Sequence, residues 1–136
     1  MSEPIRILCV DDEVNILNVI RRQLCDLDVE LHPALSAEEG LRFLMHTQPV
    51  QVVISDYRLP GMNGIDFLKK VATEWPAVTG ILLSGFADLE VVQDALEQGR
   101  LLAVLHKPWK AEELQKLISE AAGRSAKRTL SEVEPS

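Results

Sequence analysis

Ile5-Arg6-Ile7-Leu8-Cys9-Val10-Asp11-Asp12-Glu13 decides the fold: an apolar run that stops abruptly on three acids. A short run that is apolar at nearly every position suits a strand buried on both faces, as in a parallel sheet covered by helices. Similar runs recur at residues 50–54, 78–83 and 101–105. Residues 29–34 differ, because apolar and polar side chains alternate there and Pro33 removes a ladder donor, which predicts an edge strand.

Between these five strands lie segments with helical spacing. Ile16, Leu17, Ile20 and Leu24 share one face of the first. The second starts at Ser36, with Glu39 three residues on as in a capping box, and turns Leu41 and Leu44 inward. A third spans residues 64–73 through Ile65, Leu68 and Val71. The fourth, 88–98, is capped by Asp88 and ended by Gly99, with Leu89, Val92 and Leu96 apolar. The fifth, 110–122, carries Leu114, Leu117 and Ile118; Lys110 is a poor cap there, offset only by Glu112 and Glu113. Strict strand–helix alternation with an edge-like second strand predicts a doubly wound α/β fold, a flavodoxin-like (βα)5 parallel sheet of order 2-1-3-4-5.

Composition narrows the rest. The 136 residues are 46% hydrophobic and 26% charged, the balance of one ordinary globular domain, expected over residues 1–123. Residues 124–136 lack apolar periodicity and read as a flexible tail or the start of a linker. That leaves no room for a folded DNA-binding or catalytic output domain within these residues. Twenty-one acids against fourteen Lys and Arg give a formal charge of −7, which argues against direct nucleic-acid or membrane binding. No apolar run approaches the roughly 18–20 residues that span a bilayer, and the N-terminus lacks signal-peptide character, so the cytoplasm is the expected location. Cys9 and Cys25 have no CxxC or Cys/His spacing and are expected to pack in the core. His32, His46 and His106 lack ligand spacing.

In an open parallel sheet, ligands sit at the carboxyl ends of the strands, near the switch in winding. The residues at those ends are Asp11-Asp12, Asp56, Ser84-Gly85 and Lys107-Pro108. Each alone has an ordinary reading: helix caps, a turn initiator, a strand-end hydroxyl, a solvated lysine. Their convergence on one edge favours a site. Two carboxylates about 4 Å apart repel by roughly 4 kcal/mol at an effective dielectric of 20, so either one protonates or a cation enters. With oxygen donors and no His or Cys, Mg²⁺ is the natural cation. A carboxylate beside it can act as a nucleophile toward phosphorus and form an acyl phosphate. Lys107, the Ser84 hydroxyl and the backbone N–H groups of Tyr57 and Gly85 are suited to the phosphoryl oxygens.

From Ile5 to about Ala122 the chain resembles bacterial two-component response-regulator receiver domains, on the ordered set Asp11-Asp12, Asp56, Ser84, Lys107-Pro108. The resemblance implies a phosphoryl acceptor at Asp56, charged from a phosphohistidine on a sensor histidine kinase or histidine phosphotransfer protein. It implies Mg²⁺ held by Asp12, Asp56 and the backbone carbonyl of Arg58, with Asp11 acting largely through water. Lys107 would contact the phosphoryl group and Ser84 would move toward it. Such a domain catalyses only its own phosphorylation and dephosphorylation, and reports through its fourth helix, fifth strand and fifth helix to an effector, an output domain or a second copy in a homodimer.

The departures are informative. Many receivers carry Tyr or Phe three residues before the lysine; here Val104 excludes an aromatic rotamer switch at that position. Phe86 and Trp109 are the remaining candidates for a switch, each with an ordinary packing reading. Gly85 replaces the commoner Ala and is expected to loosen its loop. Arg58 and Phe86 stand where bulky side chains would shield the phosphoryl group from water. An aspartate-nucleophile phosphohydrolase would place its acids two apart, unlike Asp11-Asp12-Glu13-Val14, and a flavin module on this fold would be repelled by the acidic pair. The chain reads either as a single-domain regulator or as the N-terminal part of a longer one; Lys107-Pro108-Trp109 resembles receivers fused to metal-dependent cyclic-dinucleotide phosphodiesterases.

Overall fold

A computed structural model describes residues 4–47, 49–85, 88–97 and 103–133. The elements alternate without exception: β1 (Ile5–Val10), α1 (Val14–Gln23), β2 (Val29–Ala34), α2 (Ala37–His46), β3 (Val52–Asp56), α3 (Gly64–Glu74), β4 (Thr79–Ser84), α4 (Leu89–Glu97), β5 (Ala103–His106) and α5 (Ala111–Val133). All strand pairs are parallel, in the order β2-β1-β3-β4-β5. The expected doubly wound sheet is therefore present, with the Pro33 strand at one edge, where Pro33 pairs with Cys9.

Strand alternation sends neighbouring side chains to opposite faces, and both faces are covered. Leu8, Val10, Val53 and Leu82 pack with Phe67, Leu68 and Val71 of α3 and Val92 and Ala95 of α4. Ile7, Cys9, Ile54, Ile81 and Leu83 pack with Leu17 and Ile20 of α1 and Leu114 and Ile118 of α5. This is why residues 7–10 of β1, 52–54 of β3 and 81–83 of β4 are apolar at every position. Ser36 caps α2 by accepting from the Glu39 N–H at 3.1 Å. The weak cap of α5 is relieved from the other direction, since Glu113 Oε1 accepts from the Lys110 N–H at 3.0 Å. Among the described residues, no helix is long and apolar enough to cross a membrane.

Several boundaries differ from the expectation. β3 and β4 extend through Asp56 and Ser84, whose backbones continue the ladder opposite Leu83 and His106 after the apolar side chains have stopped. Two polar groups of the candidate site are thus fixed by sheet hydrogen bonds rather than carried on loops. α5 continues to Val133, beyond the expected end at Ala122. Gly123 does not take the left-handed φ of a C-terminal cap; among the described residues only Gly61, at φ 80°, has a positive φ. A glycine inside a helix costs only about 1 kcal/mol, and the following stretch is rich in helix formers. Cys9 is fully buried as expected, but Cys25 is exposed, because Leu24 takes the core position at the end of α1. Gly99, Leu101 and Leu102 lie outside the described residues.

Candidate functional site

The winding reverses between β1 and β3, so their carboxyl ends open the crevice of the sheet. Asp11 follows β1 and its N–H donates to the Ala34 carbonyl at 3.0 Å, extending the ladder to β2. Asp56 ends β3. Oxygens of Asp11, Asp12 and Asp56 all lie within 4.8 Å of one another, with Asp11 and Asp56 buried and Asp12 exposed. Lys107 reaches over from the end of β5, and its Nζ donates to Asp56 Oδ1 at 2.8 Å. Its own N–H donates to the Ser84 carbonyl at 2.9 Å, and the following bond to Pro108 is cis. Asp12, Glu13, Asp56, Arg58, Gly85, Asp88 and Lys107 line a cavity of about 290 Å³.

Three carboxylates and one ammonium leave two negative charges at this edge. The strain shows on Asp11: burial first, then the charge of Asp56, push its carboxyl up to about 6 despite the hydrogen bond from the Glu13 N–H. Burial works against the Lys107 ammonium, yet its hydrogen bond and charge contact with Asp56 prevail and hold it above the ordinary lysine range. The lysine is a fixed cation and not a base. Burial and the two nearby acids likewise push the Cys9 thiol upward, so it stays protonated beneath the site.

These residues fit Mg²⁺. Asp11 Oδ1 accepts from the Glu13 N–H at 2.9 Å, while its buried Oδ2 has no partner. An orphaned buried carboxylate oxygen facing two further carboxylates, with no nitrogen or sulfur donor in the cluster, is the donor set of a hard divalent cation.

The other predicted residues divide. The Ser84 hydroxyl, fully buried, donates to the Gly85 carbonyl at 3.1 Å rather than reaching into the pocket. Gly85 lines the cavity. The Tyr57 N–H is not available as a phosphoryl donor: it donates to the Leu83 carbonyl at 3.0 Å, because the β3–β4 ladder runs one residue past Asp56. Val104 pairs with Leu82 and packs against the α3–α4 side of the core. Trp109 packs on the α1–α5 side, and its Nε1 donates to Gln23 Oε1 at 2.6 Å, tying the β5–α5 loop to α1. Phe86 lies outside the described residues.

Two contacts escaped the sequence reading. Arg58 donates to Asp88 from Nε and Nη2, an arrangement that spacing alone does not announce. Gly64, legible only as a helix start, lies against the end of β3: its N–H donates to the Tyr57 carbonyl at 2.8 Å, and a Cβ there would overlap the Asp56 carbonyl oxygen. Backbone cannot yield as a side chain can. Gly64→Ala is expected to destabilise the protein by about 3 kcal/mol, the upper end of ordinary overpacking costs, measured as a lowered urea midpoint.

A five-stranded parallel sheet with an acid cluster at its switch point, reached by a lysine from the end of β5, is a flavodoxin-like arrangement. Residues 7–119 match the response regulator receiver domain family, and the chain belongs to it. It is 34% identical over 115 residues to the hydrogenase transcriptional regulatory protein HoxA of Cupriavidus necator, covering 85% of this chain and 23% of that protein. It is 32% identical over 126 residues to the probable chemotaxis protein CheY of Rhizobium etli, covering 90% of this chain and 96% of that one. The signal receiver domain of an HD domain-containing protein from Pseudomonas fluorescens Pf-5 superposes with TM-score 0.87 at 31% identity, covering 95% of this chain and 94% of that one. The chain spans about a quarter of the length of the first curated relatives it matches.

Proposed function

We propose that this two-component receiver accepts a phosphoryl group on Asp56 from a phosphohistidine of a sensor kinase or phosphotransfer protein. The observation that carries the reading is the 2.8 Å contact of Lys107 with a buried acid inside a three-carboxylate pocket. Lys107 holds Asp56 Oδ1, which orients the carboxylate and leaves its second oxygen to attack phosphorus. The new O–P bond forms as the P–N bond of the donor breaks, and the departing imidazole nitrogen keeps the electron pair and is protonated from solvent. Lys107, protonated throughout, then faces the added charge. Asp11, Asp12, Asp56 and the Arg58 carbonyl would hold Mg²⁺, which when bound neutralises charge on carboxylate and phosphoryl oxygens. Ser84 would exchange its bond to the Gly85 carbonyl for a phosphoryl oxygen, giving the α4-β5-α5 surface two states to report.

The test is incubation of the protein with acetyl phosphate. A hydroxylamine-sensitive phosphoryl group should appear with Mg²⁺, vanish with chelator, and be absent from Asp56→Ala; its survival in that variant removes the reading.

Arg58 and Phe86 are proposed to slow hydrolysis by shielding the acyl phosphate. Phosphoryl lifetime should shorten severalfold in Arg58→Ala and in Phe86→Ala, and unchanged lifetimes would dismiss this role. Residues 1–123 are proposed as the receiver unit and the helical stretch after Gly123 as a connector toward an output. The Lys107-Pro108-Trp109 sequence and the likeness to a receiver from an HD domain-containing protein favour a longer regulator over a single-domain one.

A further inference from the structure

The ion pair missed by the sequence reading joins the acceptor loop to the head of α4. Arg58 Nη2 donates to Asp88 Oδ1 at 2.9 Å and Nε to Oδ2 at 3.4 Å. The partners are unequal: the arginine side chain is 70% exposed, the aspartate only 7%. Asp88 immediately precedes α4, and its N–H donates to the Gly85 carbonyl at 3.3 Å. Both partners line the cavity that holds Asp56 and Lys107.

This asymmetry dictates which side can move. A long exposed side chain can re-aim within the pocket, whereas a buried carboxylate can reach water only if its backbone shifts. A phosphoryl dianion offers a guanidinium more charge and more acceptors than a carboxylate does. Resting on the reading of Asp56 as acceptor, we propose that Arg58–Asp88 is a latch: Arg58 leaves Asp88 for the new anion, and the head of α4 moves outward to hydrate the abandoned carboxylate. The signal crosses from loop to helix as a charge exchange, which requires no aromatic ring at Val104.

Hydrogen–deuterium exchange over residues 89–97 of the full chain tests this, with and without beryllofluoride and Mg²⁺ as phosphoryl mimic. In the wild type, exchange should be slow without the mimic and faster with it. Arg58→Gln should exchange fast in both states while α3 keeps its protection, Asp88→Asn, which has no carboxylate to hydrate, should exchange slowly in both, and Arg58→Lys, which retains the charge, should restore part of the slow exchange. If Asp88→Asn does not fold, the two Arg58 variants carry the same comparison. Exchange in the variants that matches the wild type in both states, with the mimic bound, overturns the latch alone. A wild type that takes neither beryllofluoride nor acetyl phosphate overturns the acceptor reading and the latch with it.

Discussion

Lys107→Ala should take up phosphoryl from acetyl phosphate about 10²–10³-fold more slowly than the wild type, the loss typical of removing one preorganised donor from a developing anion. Among the described residues, Lys107 is the cation in contact with Asp56. Its position is set twice, by the β5 backbone bonded to Ser84 and by the ammonium bonded to Asp56. Burial would favour losing the proton, but the hydrogen bond and charge of Asp56 outweigh it and hold the ammonium above the ordinary lysine range. Lys107→Arg keeps the charge but replaces a compact ammonium with a planar fork that the same reach does not seat, and should recover only a fraction of the rate. Rates at saturating Mg²⁺ provide the check; a Lys107→Ala rate within twofold of wild type would remove Lys107 from the mechanism.

Asp11→Asn should stabilise the metal-free protein while destroying its response to Mg²⁺. The Asp11 carboxyl titrates near 6 in the folded chain against an ordinary 3.8, so the folded state favours its protonated form. The stability linked to that proton is full below about pH 4 and is lost as pH rises through about 6. At pH 7.5 the ionised side chain therefore costs on the order of 2–3 kcal/mol. Asparagine removes the charge, can still accept from the Glu13 N–H, and offers an amide donor to the neighbouring carboxylates. Calorimetry in chelator should show the variant melting roughly 5 °C or more above wild type at pH 7.5, with the gap closing toward pH 4. Added Mg²⁺ should raise the wild-type melting temperature and leave the variant nearly unmoved. A variant that melts below wild type at pH 7.5 would contradict the electrostatic account of the pocket.

Some features could be read from sequence because they are properties of side chains. Pro33 and the alternation around it announce the edge strand, and apolar runs announce strands buried on both faces. Asp11, Asp12, Asp56 and Lys107 were legible because the carboxyl ends of parallel strands meet by topology, whatever the loops do. Backbone features were not. Asp56 and Ser84 look like loop residues once the apolar run ends, but their peptide groups stay in the ladder, and the same ladder claims the Tyr57 N–H. The close approach of Gly64 to the Asp56 carbonyl depends on how α3 seats, which no spacing encodes. Asp88 read as a helix cap because short acids before helices usually are; its bond to Arg58, thirty residues away, is set by two loops meeting. Helix propensity carried α5 past a glycine that pattern alone marks as a stop.

The central claim is that Asp56 is the phosphoryl acceptor. Its most direct test is to load the intact chain with acetyl phosphate and Mg²⁺, reduce the product with borohydride, and map the modified residue by mass spectrometry. The account predicts one phosphoryl group per chain and reduction at Asp56, converting that carboxyl to an alcohol. Failure to gain the group, or its recovery on Asp11, Asp12 or any other residue, would contradict it.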